Sequence, residues 1–150
     1  DSEKDGRSSA IWDYNHDGFP DLVVINSNAP RLALLQNQLG RSPSKRNAIF
    51  IRFQGANHDN HKSHQSNRDG YGCIVTTTIG QKILRTEHQC GSGFAAQNSS
   101  TMHLGIGETK TLTALKITWP SGEVQQIENV PAGSLLTARE GQEIHTSSYR

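Results

Sequence analysis

Apolar residues in this chain come in short runs, several of which alternate with polar ones, and no stretch shows the period of a long helix. Leu115, Ile117 and Trp119 alternate, so one face of that segment should be buried and the other wet. The pattern predicts strands over residues 31–36, 49–54, 74–78, 82–88, 115–119, 124–127 and 135–139. Two further β-prone runs, Ala10-Ile11-Trp12 and Leu22-Val23-Val24-Ile25, flank an Asp-rich segment. Gly80-Gln81 and Pro120-Ser121-Gly122-Glu123 read as hairpin turns, and Gly105-Ile106-Gly107 as a further turn. Residues 129–133 could form a short turn of their own. Trp12 and Trp119 stand among apolar neighbours and are expected in the core.

The expected fold class is all-β, in two parts. Residues 1–40 hold three strands, too few to bury both faces of a sheet without further chain or a partner. Residues 41–47, with Pro43 among polar neighbours, read as a linker. Residues 48–142 fit a β-sandwich-like domain of roughly 100 residues, and the polar segment 143–150 is expected to fray. Asp1 in place of methionine suggests a processed, truncated or partial start.

Composition agrees. Hydrophobic residues make up 33% and glycine occurs 14 times, which suits short strands and turns. With 15 basic and 14 acidic residues there is no field to attract nucleic acid. No apolar run approaches the roughly 18 residues a transmembrane segment needs.

The segment from Asp13 to Asp21 carries the sharpest chemistry. Asp13, Asn15, Asp17 and Asp21 supply side-chain oxygens at alternating positions, the backbone carbonyl of Phe19 fills the gap, and Gly18 permits a sharp turn. Hard oxygen donors at this spacing point to Ca2+. An EF-hand would require glutamate at its twelfth position, which is Val24 here, and helices rather than strands on either side. The expectation is therefore a calcium loop joining two strands.

Cys73 and Cys90 flank the hairpin that turns at Gly80-Gln81. With that turn Cys73 falls opposite His88, and a cross-strand disulfide to Cys90 is expected, two separate thiols being the alternative.

Several motifs together carry a family resemblance. Asp13 to Asp21, followed by Leu22-Val23-Val24-Ile25-Asn26 and Leu34-Leu35-Gln36-Asn37, resembles one FG-GAP (VCBS-type) repeat, the unit of integrin-like β-propellers. Ser66-Asn67-Arg68-Asp69-Gly70-Tyr71-Gly72, Gly91-Ser92-Gly93-Phe94, His103-Leu104-Gly105-Ile106-Gly107, Trp119-Pro120-Ser121-Gly122 and Glu140-Gly141 resemble the ASPIC/UnbV domain, found after such repeats in cartilage acidic protein-like secreted proteins. The resemblance implies a partial, last propeller blade running into a C-terminal β-domain, with calcium held by the blade loop. It also implies an extracytoplasmic location: periplasmic, secreted or surface-attached. It supplies no catalytic residues.

Three further constellations are candidates. Asn67, Arg68 and Asp69, with Ser92, Phe94 and Gln97 as an opposite wall, form a possible ligand surface, although the structural reading is the stronger, since Arg68 and Asp69 can cap strand ends and Gly70 can supply positive φ. His58, His61 and His64 recur at three-residue spacing and form a weak second metal candidate in a very polar loop. Asn98-Ser99-Ser100 is a glycosylation sequon, relevant only in a eukaryotic secretory setting. No nucleophile elbow, zinc-protease motif or paired catalytic carboxylates occur. The expected function is a non-catalytic, calcium-stabilised protein-interaction or structural subunit. Its strand edges would be completed by upstream propeller sequence or by a protein partner in a larger assembly. The alternatives are a carbohydrate-binding or adhesion module and, behind it, an accessory subunit of an enzyme complex.

Overall fold

The structure is a computed structural model that describes residues 5–41, 46–58, 63–91 and 93–150. Among these the chain is built almost wholly of strands, and it divides into two compact units. The first unit comprises Asp1–Ser44, Cys90–Ser99 and the terminal Arg150, and the second comprises Lys45–Gln89 and Ser100–Tyr149.

In the first unit β1 (Gly6–Trp12), β2 (Asp21–Asn26) and β3 (Leu32–Leu35) form an antiparallel sheet in that order, closed by a 3-10 turn at Leu39–Arg41. The register aligns Ile11 with Leu22 and Leu35, and Ala10 with Val23 and Leu34. Successive rows face opposite sides of a sheet, so both faces carry apolar side chains. Residues 94–99, separated from β1 by some eighty positions of sequence, lie along it. The Ile11 amide donates to Asn98 Oδ1 at 2.9 Å, the Ser99 amide donates to the Ile11 carbonyl at 2.9 Å, and the Ser8 hydroxyl donates to the Phe94 carbonyl at 2.6 Å. These bonds satisfy part of the β1 edge, which a three-stranded sheet would otherwise leave open.

The second unit is a sandwich of two four-stranded sheets. One runs β11 (His145–Ser148), β10 (Ser134–Arg139), β4 (Asn47–Gln54), β7 (Met102–Gly107), with β10 and β4 parallel. The other runs β6 (Lys82–Glu87), β5 (Ile74–Ile79), β8 (Thr111–Thr118), β9 (Val124–Pro131), all antiparallel. Alternate residues from both sheets meet in one core: Ile49, Ile51, Phe53, Leu104, Ile106, Leu136 and Ala138 from the first, Val75, Leu112, Leu115, Ile117 and Val130 from the second. Trp119 is buried at the end of β8 and donates its indole N–H to Gln125 Oε1 at 2.6 Å, which satisfies the ring's one polar atom.

Three local expectations are corrected. Gly105-Ile106-Gly107 lies within β7 rather than a turn, because Ile106 fills the core while Gly105 points outward into open space. The tail expected to fray carries β11, which pairs with β10, and Tyr149 beyond it stacks on Phe50 with ring centroids 3.6 Å apart. That stack is why Phe50 is buried on the outer face of β4, against the alternation. Trp12, expected in the core, is 49% exposed.

Candidate functional site

The Asp-rich loop joins β1 to β2, where the antiparallel ladder ends at the Trp12 and Asp21 pair. His16 and Gly18 adopt positive φ of 55° and 87°, so the chain reverses within a few residues. Asp13 and Asp21 are buried at its base. Asp13 accepts the amides of Asp17 at 3.1 Å and Gly18 at 2.8 Å, one on each carboxylate oxygen. Asp21 accepts the amides of Asn37 at 2.7 Å and Tyr14 at 3.1 Å. Asp17 accepts the Phe19 amide at 2.9 Å and the Asn15 side-chain amide at 3.0 Å. Asn37 also donates to the Pro20 carbonyl at 3.0 Å, tying the end of β3 to the loop.

The donor set is chemically suited to a hard cation. An ionised carboxylate offers about four lone-pair sites, and one amide per oxygen leaves others unused. The ion pairs Arg7–Asp5 and Arg68–Asp69 both lie away from the buried acids of the loop. Yet no group of three or more His, Cys, Asp or Glu side chains among the described residues is gathered closely enough to hold a metal by itself. A bound ion would need the amide oxygen of Asn15 and the Phe19 carbonyl as well.

The remaining candidates separate. Asn67, Arg68 and Asp69 form one turn, in which Asn67 accepts the Tyr71 amide at 2.9 Å and donates to the Tyr71 carbonyl at 2.7 Å. Arg68 holds Asp69 through two contacts, at 3.1 and 3.2 Å. Phe94 and Gln97 belong to the first unit, and Ser92 lies outside the described residues. His58 and His64 are exposed, and His61 also lies outside the described residues.

The expected disulfide is not formed: Cys73 and Cys90 are free thiols. The register does place Cys73 beside His88, whose amide donates to the Cys73 carbonyl at 2.8 Å. However, β6 ends at Glu87, and Cys90 belongs to the first unit rather than to the hairpin's. Burial pushes the Cys73 thiol up to about 12, with a smaller contribution from the charge of Glu140, so this sulfur stays protonated and unreactive at neutral pH.

Two buried polar groups escaped the sequence reading. Glu140 accepts the Ala56 amide at 2.8 Å, the Ser66 amide at 2.9 Å and the Ser66 hydroxyl at 2.7 Å. Burial raises its pKa, but hydrogen bonds from Ser121, Ala56 and Ser66 together outweigh burial, and the net shift is downward. The His88 ring packs against those of Phe53 and Tyr71. In sequence, the one hint is an acid closing an alternating apolar strand at Ala138-Arg139-Glu140.

Comparison with known families fits this division. The family described as ASPIC and UnbV matches residues 63–145, more than half of the chain. The chain belongs to that family. An FG-GAP repeat matches residues 6–42, which covers β1 to β3 and the Asp-rich loop. No curated protein matches the chain. A partial blade followed by an ASPIC and UnbV domain suggests a module of protein-interaction or adhesion type. Among the described residues no helix is long and apolar enough to cross a membrane.

Proposed function

We propose that this chain is a non-catalytic, calcium-stabilised interaction subunit that works outside the cytoplasm. The observation that carries the reading is the three-stranded sheet, in which apolar side chains stand exposed on both faces: Ile11 and Leu35 on one, Trp12, Leu34 and Leu32 on the other. Exposed patches of this kind mark interaction surfaces, and a sheet apolar on both sides needs a layer against each. The occupants would be neighbouring propeller sheets, supplied by upstream sequence or by a protein partner. Calcium, held by Asp13, Asn15, Asp17, Asp21 and the Phe19 carbonyl, would neutralise the buried acids and stiffen the strand connection. No catalytic role is assigned to any residue.

Native mass spectrometry of the protein isolated from its source tests the assembly, and a lone, metal-free chain would overturn the reading. The calcium part has its own test. Calcium at a hundredfold excess over its dissociation constant should stabilise the protein by about 2.7 kcal/mol, chelation should reverse this, and Asp13→Asn should abolish it. A melting temperature indifferent to millimolar calcium would refute it.

A carbohydrate-binding reading has one observation in its favour. Trp12 is exposed and meets Tyr14 edge-on at 6.2 Å, an aromatic pair that could receive a sugar face. Glycan-array binding lost in Trp12→Ala would favour it over the protein-interaction reading.

A further inference from the structure

His88 follows the end of β6 and is 5% exposed. Its ring is stacked on Tyr71 at 4.8 Å with 19° between planes, and it also meets Phe53 at 4.7 Å and 31°. The nearby Asp69 backbone favours a proton on the ring, while Nε2 is buried and has no hydrogen-bond partner among the described residues. The backbone locks the same place: Gly72 donates to the His88 carbonyl at 2.8 Å, and His88 donates to Cys73. Gly70, at φ +67°, lies so close over Phe53 that an added Cβ would fall 2.3 Å from the Phe53 Cβ. The whole 67–73 turn is thus wrapped around one neutral imidazole.

We infer that His88 makes this turn an acid-sensitive latch: the neutral ring holds residues 67–73 closed, and its protonation releases them. An imidazolium carries a second N–H donor, and here that donor would be buried at Nε2 with nothing among the described residues to accept it. The titratable and charged groups around it do not compensate. Asp69 attracts a proton to the ring but is held by Arg68, which opposes it; Cys73 is neutral; Tyr71 and Phe53 present ring faces; Glu87 precedes His88 in the chain and its side chain is exposed. Burial, the largest influence, lowers the pKa below 6.5 and outweighs the Asp69 backbone and charge.

The sign follows. The open state binds the proton at higher pH than the closed state, so the closed turn is fully favoured above 6.5 and is lost as pH falls below it toward the lowered native value. One proton taken up on opening gives up to tenfold change in the open population per pH unit. The latch is independent of the calcium and partner assignments above.

The test uses the full chain. Amide-exchange protection factors at Gly70, Gly72 and Cys73, referenced to free-peptide rates at each pH, should fall up to tenfold per unit between pH 6.5 and 5 in the wild type. In His88→Phe, which keeps a stacked ring that cannot titrate, they should stay flat over that window. Identical profiles in the two proteins would overturn the latch. Ring-nitrogen NMR of the wild type decides independently of whether the variant folds: a ring that titrates at or above 6.5 with the turn still protected would also overturn it.

Discussion

Glu140 offers the most direct check of how the second unit is held together. The residue is 7% exposed, and its carboxylate receives the backbone amides of Ala56 and Ser66 and the Ser66 hydroxyl, joining the end of β10 to the distant connection between β4 and β5. Hydrogen bonds to a charged group contribute about 1.5–3 kcal/mol each. Glu140→Gln keeps one acceptor oxygen but turns an NH2 toward donors, so at least one such bond is lost and a donor faces a donor. The expected loss is about 2–4 kcal/mol, or roughly 10 °C or more in Tm for a domain near 100 residues. Urea unfolding followed by Trp119 fluorescence, in a Trp12→Phe background so that only the buried indole reports, measures it.

The pH dependence supplies a second reading. The folded pKa of Glu140 is lowered from 4.5, so its contribution is present above that value and is lost as pH falls through the folded pKa. The gap between wild type and Glu140→Gln should be constant from pH 7 to about 5 and narrow below about 4. A gap under about 1 kcal/mol at pH 7, or one that stays unchanged down to pH 3, would refute the assignment of Glu140 as the staple.

Two further outcomes follow from the geometry. Gly70→Ala should cost more than about 3 kcal/mol, since it combines positive φ with a 2.3 Å approach to Phe53, whereas Gly80→Ala, with φ +60° and open space around it, should cost about 1 kcal/mol; thermal denaturation of the two variants ranks them, and equal losses would count against the packing argument. A thiol reagent at pH 7.5 should modify the exposed Cys90 quickly in the native protein and reach the buried Cys73 only on unfolding, whereas no reactive thiol in either state would indicate the disulfide after all.

What could be read from the chain alone was whatever is local. Leu115 and Ile117 alternate because one face of β8 meets the core, and the Asp-rich loop folds on amides that Asp13 accepts from the same few residues. β7 was hidden because its two glycines read as breakers, although at Gly105 nothing presses on the outward face. β11 was hidden because a polar edge strand has no apolar period to betray it. Glu140 and Ser66 are 74 positions apart, and no pattern in either neighbourhood announces the other. The same holds for Asn98 and Ile11, 87 apart, whose contact assigns residues 90–99 to the first unit and so removes Cys90 from the hairpin.

That last contact also gives the first unit a polarity. Along β1, the amide and carbonyl of Ile11 and the hydroxyl of Ser8 are taken up by residues 94–99, so a strand approaching from that side finds bonds already made. At the opposite edge β3 presents Leu32, Leu34 and Leu35 with exposures of 60%, 43% and 54%. Among the described residues no strand pairs with that side of β3, and an open apolar edge is where another chain adds or aggregates. A partner that completes this sheet is therefore expected to meet β3 and the two faces beside it rather than β1. Changing Leu32 and Leu34 to threonine, which keeps β propensity while removing apolar area, should then weaken assembly without disturbing the Asp-rich loop at the other end of β2.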